Sequence, residues 1–144
     1  MPRYFTLAEA EALLPIVERH IRQAVHLKQE HDTAETAQHD FQRKVIMMGG
    51  MQVDRSKVLA RRAKSDATIS RLKEILAEIG EMGVQVKDLD TGLIDFPTFY
   101  RGDEVLLCWR LGEDAIRYWH GLTEGFRGRK EIDDEFLREH KNHE

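Results

Sequence analysis

The residues with the most chemistry to offer stand close together in this chain. Asp88, Asp95, Glu113 and His120 all fall within residues 84–130. Carboxylates and an imidazole suit a divalent metal such as zinc, manganese or iron. Around them stand Arg110, Arg117, Arg127 and Arg129, whose planar forks match a carboxylate or phosphate on a ligand. A metal held by the first set would lower the pKa of a bound water and polarise a substrate. The arginines would orient that substrate if it were an anion. The segment "GFRGRK" also places its cations among glycines, a setting for an anion-binding nest of backbone amides. The bland alternatives are surface or structural residues for the metal set, a solvated sheet face with an ordinary cross-strand ion pair for the arginines, and a turn leaving the sheet for "GFRGRK".

Other candidates are weaker. "KDLDTG" opens like a calcium loop, but it lacks the glycine and the distal glutamate at the required places. His31, Glu35 and His39 follow each other at i, i+4 and i+8, a spacing that a solvated helix also produces. No Glu-x-x-His pair occurs in either long helical segment, which disfavours a di-iron bundle. Cys108 is the single cysteine, so an intrachain disulfide and a multi-cysteine zinc site are excluded. Nearby arginines favour a thiolate, although an inert buried thiol is the default. No Walker or dinucleotide fingerprint is present.

The elements that must position these groups follow from periodicity. "GVQVKD", "LIDFPTFY", "DEVLLCWRL" and "DAIRYWH" alternate as strands, separated by the turn signals Arg101-Gly102 and Gly112-Glu113. A first turn at Tyr100–Asp103 sets Ile94 opposite Trp109, Phe96 opposite Leu107 and Thr98 opposite Val105. A second turn at Leu111–Asp114, with glycine leading a two-residue primed loop, sets Trp109 opposite Ile116, Leu107 opposite Tyr118 and Val105 opposite His120. Both registers deliver one apolar face. The other face then carries Leu93, Asp95, Leu106, Cys108, Arg110, Ala115, Arg117 and Trp119. On this register Cys108 and His120 point to opposite sides, so they do not form a pair. Pro97 cannot donate to a ladder, which places it at an edge or near a strand end.

Two long amphipathic helices precede the strands. Thr6-Leu7-Ala8-Glu9 is a capping box with Phe5 as a hydrophobic staple. Leu14, Val17, Ile21 and Ala24 form the first seam, and Ala34, Ala37, Phe41, Val45 and Met48 continue it to Gly49-Gly50. Pro15 bends this helix without ending it. Asp54 caps a second helix whose seam runs through Val58, Ala63, Ile69, Leu72, Leu76 and Ile79. The short connection implies an antiparallel hairpin. Two such helices cannot bury both faces alone, so the seams call for a partner.

The bulk composition bounds the function. The 144 residues are 41% hydrophobic and 33% charged, with a formal net charge of -4. That fits one soluble domain and argues against a general polyanion binder. Residues 55–73 hold seven basic residues and one acid, yet without aromatics for base stacking they do not point to nucleic acid. No apolar run approaches the roughly 20 residues of a membrane span. The start, "MPRYFTLAEAEALL", lacks a signal peptide's apolar core, and a cytoplasmic location is the expectation.

The stretches "YFTLAEAEALLP", "GVQVKDLDTGLIDFP", "LCWRLGE", "YWHGL" and "GFRGR" together resemble an uncharacterised bacterial family, domain of unknown function 2203. The likeness runs from residue 4 to about 130 and implies that residues 84–129 are the family's recognisable centre. It implies no activity and supplies no catalytic residues. The expected fold is α+β and a single domain over 1–144: a long antiparallel helical hairpin (6–82), then a small three- to four-stranded antiparallel β-sheet (84–130). The tail, 131–144, is expected to be partly disordered or a short helix. The leading functional expectation is a non-enzymatic assembly protein, a homodimer or higher homo-oligomer joined through its helices. The alternative is a metal-dependent hydrolase or a binder of a small anion or metal, using Asp95, Glu113 and His120 with Asp88 as a fourth ligand.

Overall fold

A computed structural model describes residues 3–50 and 54–140. Helix α1 spans Leu7–Met47 and α2 spans Arg55–Glu81. The capping box is formed: the Thr6 hydroxyl accepts from the Glu9 amide, and the Glu9 carboxylate accepts from the Thr6 amide. Phe5 is fully buried at the staple position. Pro15 lies inside α1, which continues past it to Met47. Asp54 caps α2 by accepting from the amides of Ser56 and Lys57. The helices are antiparallel neighbours, tied near their base by His20 Nε2 and Glu78 at 2.9 Å.

Strands β1 (Gln85–Asp88), β2 (Leu93–Tyr100), β3 (Asp103–Arg110), β4 (Tyr118–Gly121) and β5 (Lys130–Glu131) form one antiparallel meander in sequence order. The sheet therefore has five strands, one more than the upper expectation; the added pair joins Tyr118 to Glu131 and Trp119 to Lys130. The short helix α3 (Asp134–Glu139) follows, capped by Asp133. Its Phe136 is buried against Tyr100 and Trp119, with ring centroids 4.9 and 5.1 Å away.

The β2–β3 register agrees with the sequence reading at every pair, including Ile94 with Trp109 and Thr98 with Val105. Pro97 lies two residues beyond Asp95, the last β2 residue paired with β1. Its carbonyl accepts from the Phe5 amide at 2.7 Å. A residue's nitrogen and carbonyl point to the same side of a strand, so the missing N–H of Pro97 faces away from β3 and costs the ladder nothing.

The β3–β4 register differs by one residue. Leu107 pairs with Trp119 and Leu106 with His120, not Leu107 with Tyr118 or Val105 with His120. The tight turn comes one residue early: the Glu113 amide donates to the Arg110 carbonyl, with Gly112 at φ 106°. The chain then leaves the ladder until Tyr118. Ile116 is nevertheless buried, because its amide donates to Glu11 on α1 at 2.9 Å. A one-residue slip exchanges faces. Trp119 therefore joins the core side, while Tyr118 and His120 move to the other.

The core lies between the base of the helical hairpin and one face of the sheet. It contains Leu14, Val17, Ile21, Ile75, Ile79, Ile94, Phe96, Leu107 and Trp109. Thr98 sits on that face fully buried, and its hydroxyl has no hydrogen-bond partner. Desolvating an unpaired hydroxyl costs about 1–3 kcal/mol. Thr98→Val keeps the shape and removes the hydroxyl, so it is expected to raise unfolding stability by about 1 kcal/mol. Urea unfolding with an unchanged m-value would measure this.

Candidate functional sites: a buried Asp-Cys-His cluster and an uncovered helical arm

The second face of the sheet is also covered. After β4 the chain turns at Gly121–Glu124, where Glu124 accepts from the Gly121 amide at 2.7 Å. It then makes a single 3-10 turn over Phe126–Gly128. A Cβ on Gly128 would lie 2.7 Å from the Glu124 Cβ, so only glycine lets this strap fold back so tightly. Arg129 follows. Its guanidinium lies over Tyr118 at 4.1 Å and over Phe126 at 4.7 Å from the ring centroids, a stacking that suits its weakly hydrated plane.

Arg129 and Glu113 form a two-pronged pair, with Nη1–Oε2 at 2.8 Å and Nη2–Oε1 at 2.7 Å. Nη2 also donates to the Cys108 carbonyl at 3.3 Å. Oε1 of Glu113 accepts from the Arg110 amide, and the Glu113 carbonyl accepts from Trp109 Nε1. Burial pushes the Glu113 carboxyl up, but the Arg129 fork and the Arg110 amide outweigh it and hold the group below its ordinary value. Glu113 thus closes the β3–β4 turn and anchors the strap.

Beneath the strap lie Asp95 from β2, Cys108 from β3 and His120 from β4. They are 0%, 0% and 3% exposed. Asp95 and Cys108 are direct cross-strand partners, and His120 is set diagonally to Cys108 by the Leu106–His120 pair. One ligand atom from each falls within 4.8 Å of the others. His120 Nε2 is 3.1 Å from both Asp95 oxygens, and Nδ1 is 2.8 Å from the Gly121 carbonyl. A neutral imidazole has one N–H to give. With both ring nitrogens against oxygens, a neutral ring leaves one of these contacts without a donor. Burial pushes the Cys108 thiol up to about 12, with the Asp95 carboxylate adding to the shift and Arg129 opposing it.

Of the four metal-ligand candidates, the structure brings together Asp95 and His120. Glu113 sits in the ion pair with Arg129. Asp88 closes the β1–β2 turn, accepting from the Asp90 amide at 3.0 Å and the Thr91 hydroxyl at 3.1 Å. Among the arginines, Arg110 and Arg129 lie over Phe126. Arg117 is exposed and paired with Asp114 at 2.9 Å, and Arg127 is exposed on the strap. Cys108 was missed as a neighbour of His120 because the earlier β4 register put them on opposite faces. A tight turn read at Arg110–Glu113 would not have found it, because it sets Leu107 opposite Ile116 and leaves His120 on the core face; the observed register depends on the irregular stretch between Glu113 and Tyr118.

The helical hairpin carries the other unusual surface. Beyond Val25 on α1 and before Ile75 on α2, no described residue is buried. At about 1.5 Å per residue, this leaves roughly 30 Å of two-helix arm outside the core. Phe41, Ile46, Met47, Met48 and Leu59 are exposed on it. Between the helices runs a groove of about 760 Å³, with His31, Glu35 and Gln38 on one wall and Arg61, Arg62 and Ser65 on the other. No helix of the described residues is long and apolar enough to cross a membrane.

No curated protein and no solved structure matches the chain. One family does, described as an uncharacterized conserved protein (DUF2203), and the match covers residues 3–132. It takes in both long helices, the strands and the strap down to β5, so this chain belongs to the DUF2203 family.

Proposed function

We propose that this protein is a non-enzymatic assembly module whose helical arm pairs with the arm of a second copy. The observation that carries this reading is that none of the described residues of the arm is buried, despite a helical seam that runs along it. Isolated helices are marginal in water without an apolar face to bury. Phe41 and Met48, seven residues apart, fall on one side of α1, and Ile46, Met47 and Leu59 add exposed apolar surface for a partner to cover.

Charge favours a second copy as that partner. Residues 29–42 of α1 carry four acids and no lysine or arginine, while residues 55–73 of α2 carry seven bases and one acid. The α1–α2 side-chain hydrogen bonds in this part of one arm are uncharged on one side or both: Arg61 with Gln38, and Ser65 with His31. A two-fold antiparallel arrangement sets each acidic α1 against the basic α2 of the other copy. It buries the same patch on both, as isologous interfaces do. The resemblance to a bacterial family and a single buried cysteine support a bacterial cytoplasm as the setting.

Sedimentation equilibrium at micromolar protein tests the reading by charge reversal. The wild type is expected to be a dimer that weakens with salt. Arg61→Glu/Arg62→Glu/Lys64→Glu is expected to be monomeric, and so is Glu30→Lys/Asp32→Lys/Glu35→Lys. Mixing the two variants should restore a heterodimer. A monomeric wild type, or a dimer that survives both reversals, would overturn it.

A further inference from the structure

The geometry points to a zinc-type metal site made by Asp95, Cys108 and His120, buried beneath the strap that Arg129 fastens. This inference stands apart from the assembly role and rests on a different part of the molecule.

Three observations carry it. The first is convergence. A carboxylate, a thiol and an imidazole from three neighbouring strands reach within 4.8 Å of one another. Ligand atoms at zinc-bond lengths on a tetrahedral ion lie about 3.3–3.8 Å apart. The Asp95–His120 edge is already 3.1 Å, so the other edges need to move by little more than an ångström. Surface carboxylates often cluster by chance; three fully buried donors of three types do not share that origin.

The second is orientation. Metal-bound histidines usually donate their other N–H to a carbonyl or carboxylate, which fixes the ring and leaves one nitrogen for the ion. His120 Nδ1 lies 2.8 Å from the Gly121 carbonyl, and Nε2 points at Asp95. A neutral imidazole protonated at Nδ1 meets that carboxylate with a lone pair, and a cation between the two removes the conflict. The third is the second shell. Arg129 Nη2 reaches the Cys108 carbonyl at 3.3 Å while its fork is neutralised by Glu113. The backbone behind the sulfur ligand is thereby held in place, with no extra net charge brought to the site.

The donor set selects the ion. A thiolate and an imidazole favour zinc, cobalt or ferrous iron over magnesium and calcium, which prefer all-oxygen sites. On binding, a metal–sulfur bond forms, the Cys108 S–H bond breaks and its proton passes to the buffer. Among the described residues no fourth histidine, cysteine or carboxylate joins the cluster. The fourth position is therefore left to a water or a small ligand, as in sites with three protein ligands.

The test uses the full chain, dialysed against chelator and titrated with zinc and, separately, with cobalt. Expected are one ion per chain, a higher melting temperature and, with cobalt, an intense tetrahedral spectrum carrying a thiolate-to-metal band. Cys108→Ser should abolish that band and weaken zinc binding at least 100-fold, while magnesium should not compete. The wild-type cobalt spectrum keeps the test decisive if the variant fails to fold. No binding by the wild type would overturn the inference. So would a cobalt spectrum without a thiolate band, or zinc affinity unchanged in a folded Cys108→Ser protein.

Discussion

Asp95→Ala is expected to cost about 3 kcal/mol of unfolding stability, the upper end of the range for leaving a buried polar group without its partner. Whole domains are stable by only about 5–15 kcal/mol, so the variant should be close to its unfolding midpoint in mild urea. The cost has a specific origin. His120 Nε2 has both Asp95 oxygens at 3.1 Å, and both residues are almost entirely buried. Without the carboxylate, the ring nitrogen faces an apolar cavity beneath the strap. Asp95→Leu/His120→Leu should cost less than Asp95→Ala alone, because removing both partners leaves no orphaned polar group. Urea unfolding of the two variants, with chelator present so that metal binding adds nothing, decides it. A double variant no more stable than Asp95→Ala would show that an orphaned ring nitrogen is not the source of the loss.

Trp109→Ala should cost a comparable amount, about 3–5 kcal/mol, for a different reason. The indole is the largest fully buried side chain, set between the helix base and the sheet. Its loss opens a cavity that neighbouring Ile94 and Ile116 cannot fill from their fixed strand and loop positions. Trp109→Phe separates packing from hydrogen bonding. It keeps most of the buried ring but leaves the Glu113 carbonyl without the Nε1 donor at 3.1 Å, so a loss of about 1–2 kcal/mol is expected. Because that carbonyl belongs to the β3–β4 turn, the Phe variant should also raise amide exchange at Leu111–Glu113. Unchanged exchange there would mean that the indole contributes only volume.

These two sites differ in how far they could be read from residue order. Trp109 could be placed because alternation along β2 and β3, with a glycine turn between, fixes which side chains share a face. The observed register matches at all eight pairs from Leu93–Arg110 to Tyr100–Asp103. Helix starts were equally legible. The Thr6–Glu9 box and the Asp54 cap are local, closed within three residues by their own side chains. The Asp95–His120 contact was not legible. It joins strands 25 residues apart, and its partner strand begins only after a loop whose length no local pattern sets.

Residue order by itself therefore determined the two long capped helices, the β2–β3 hairpin and its oily face, and the membership of Asp95 and Cys108 in the opposite row. Each depends on interactions within a few residues or on a strict period. Tertiary structure alone decided where β4 pairs. Glu11 on α1 captures the Ile116 amide, the Glu113–Arg129 fork draws in the strap, and Phe136 docks on Trp119. Those long-range contacts shift the pairing by one residue, and with a two-residue side-chain period that shift carries His120 from the core face to Asp95 and Cys108.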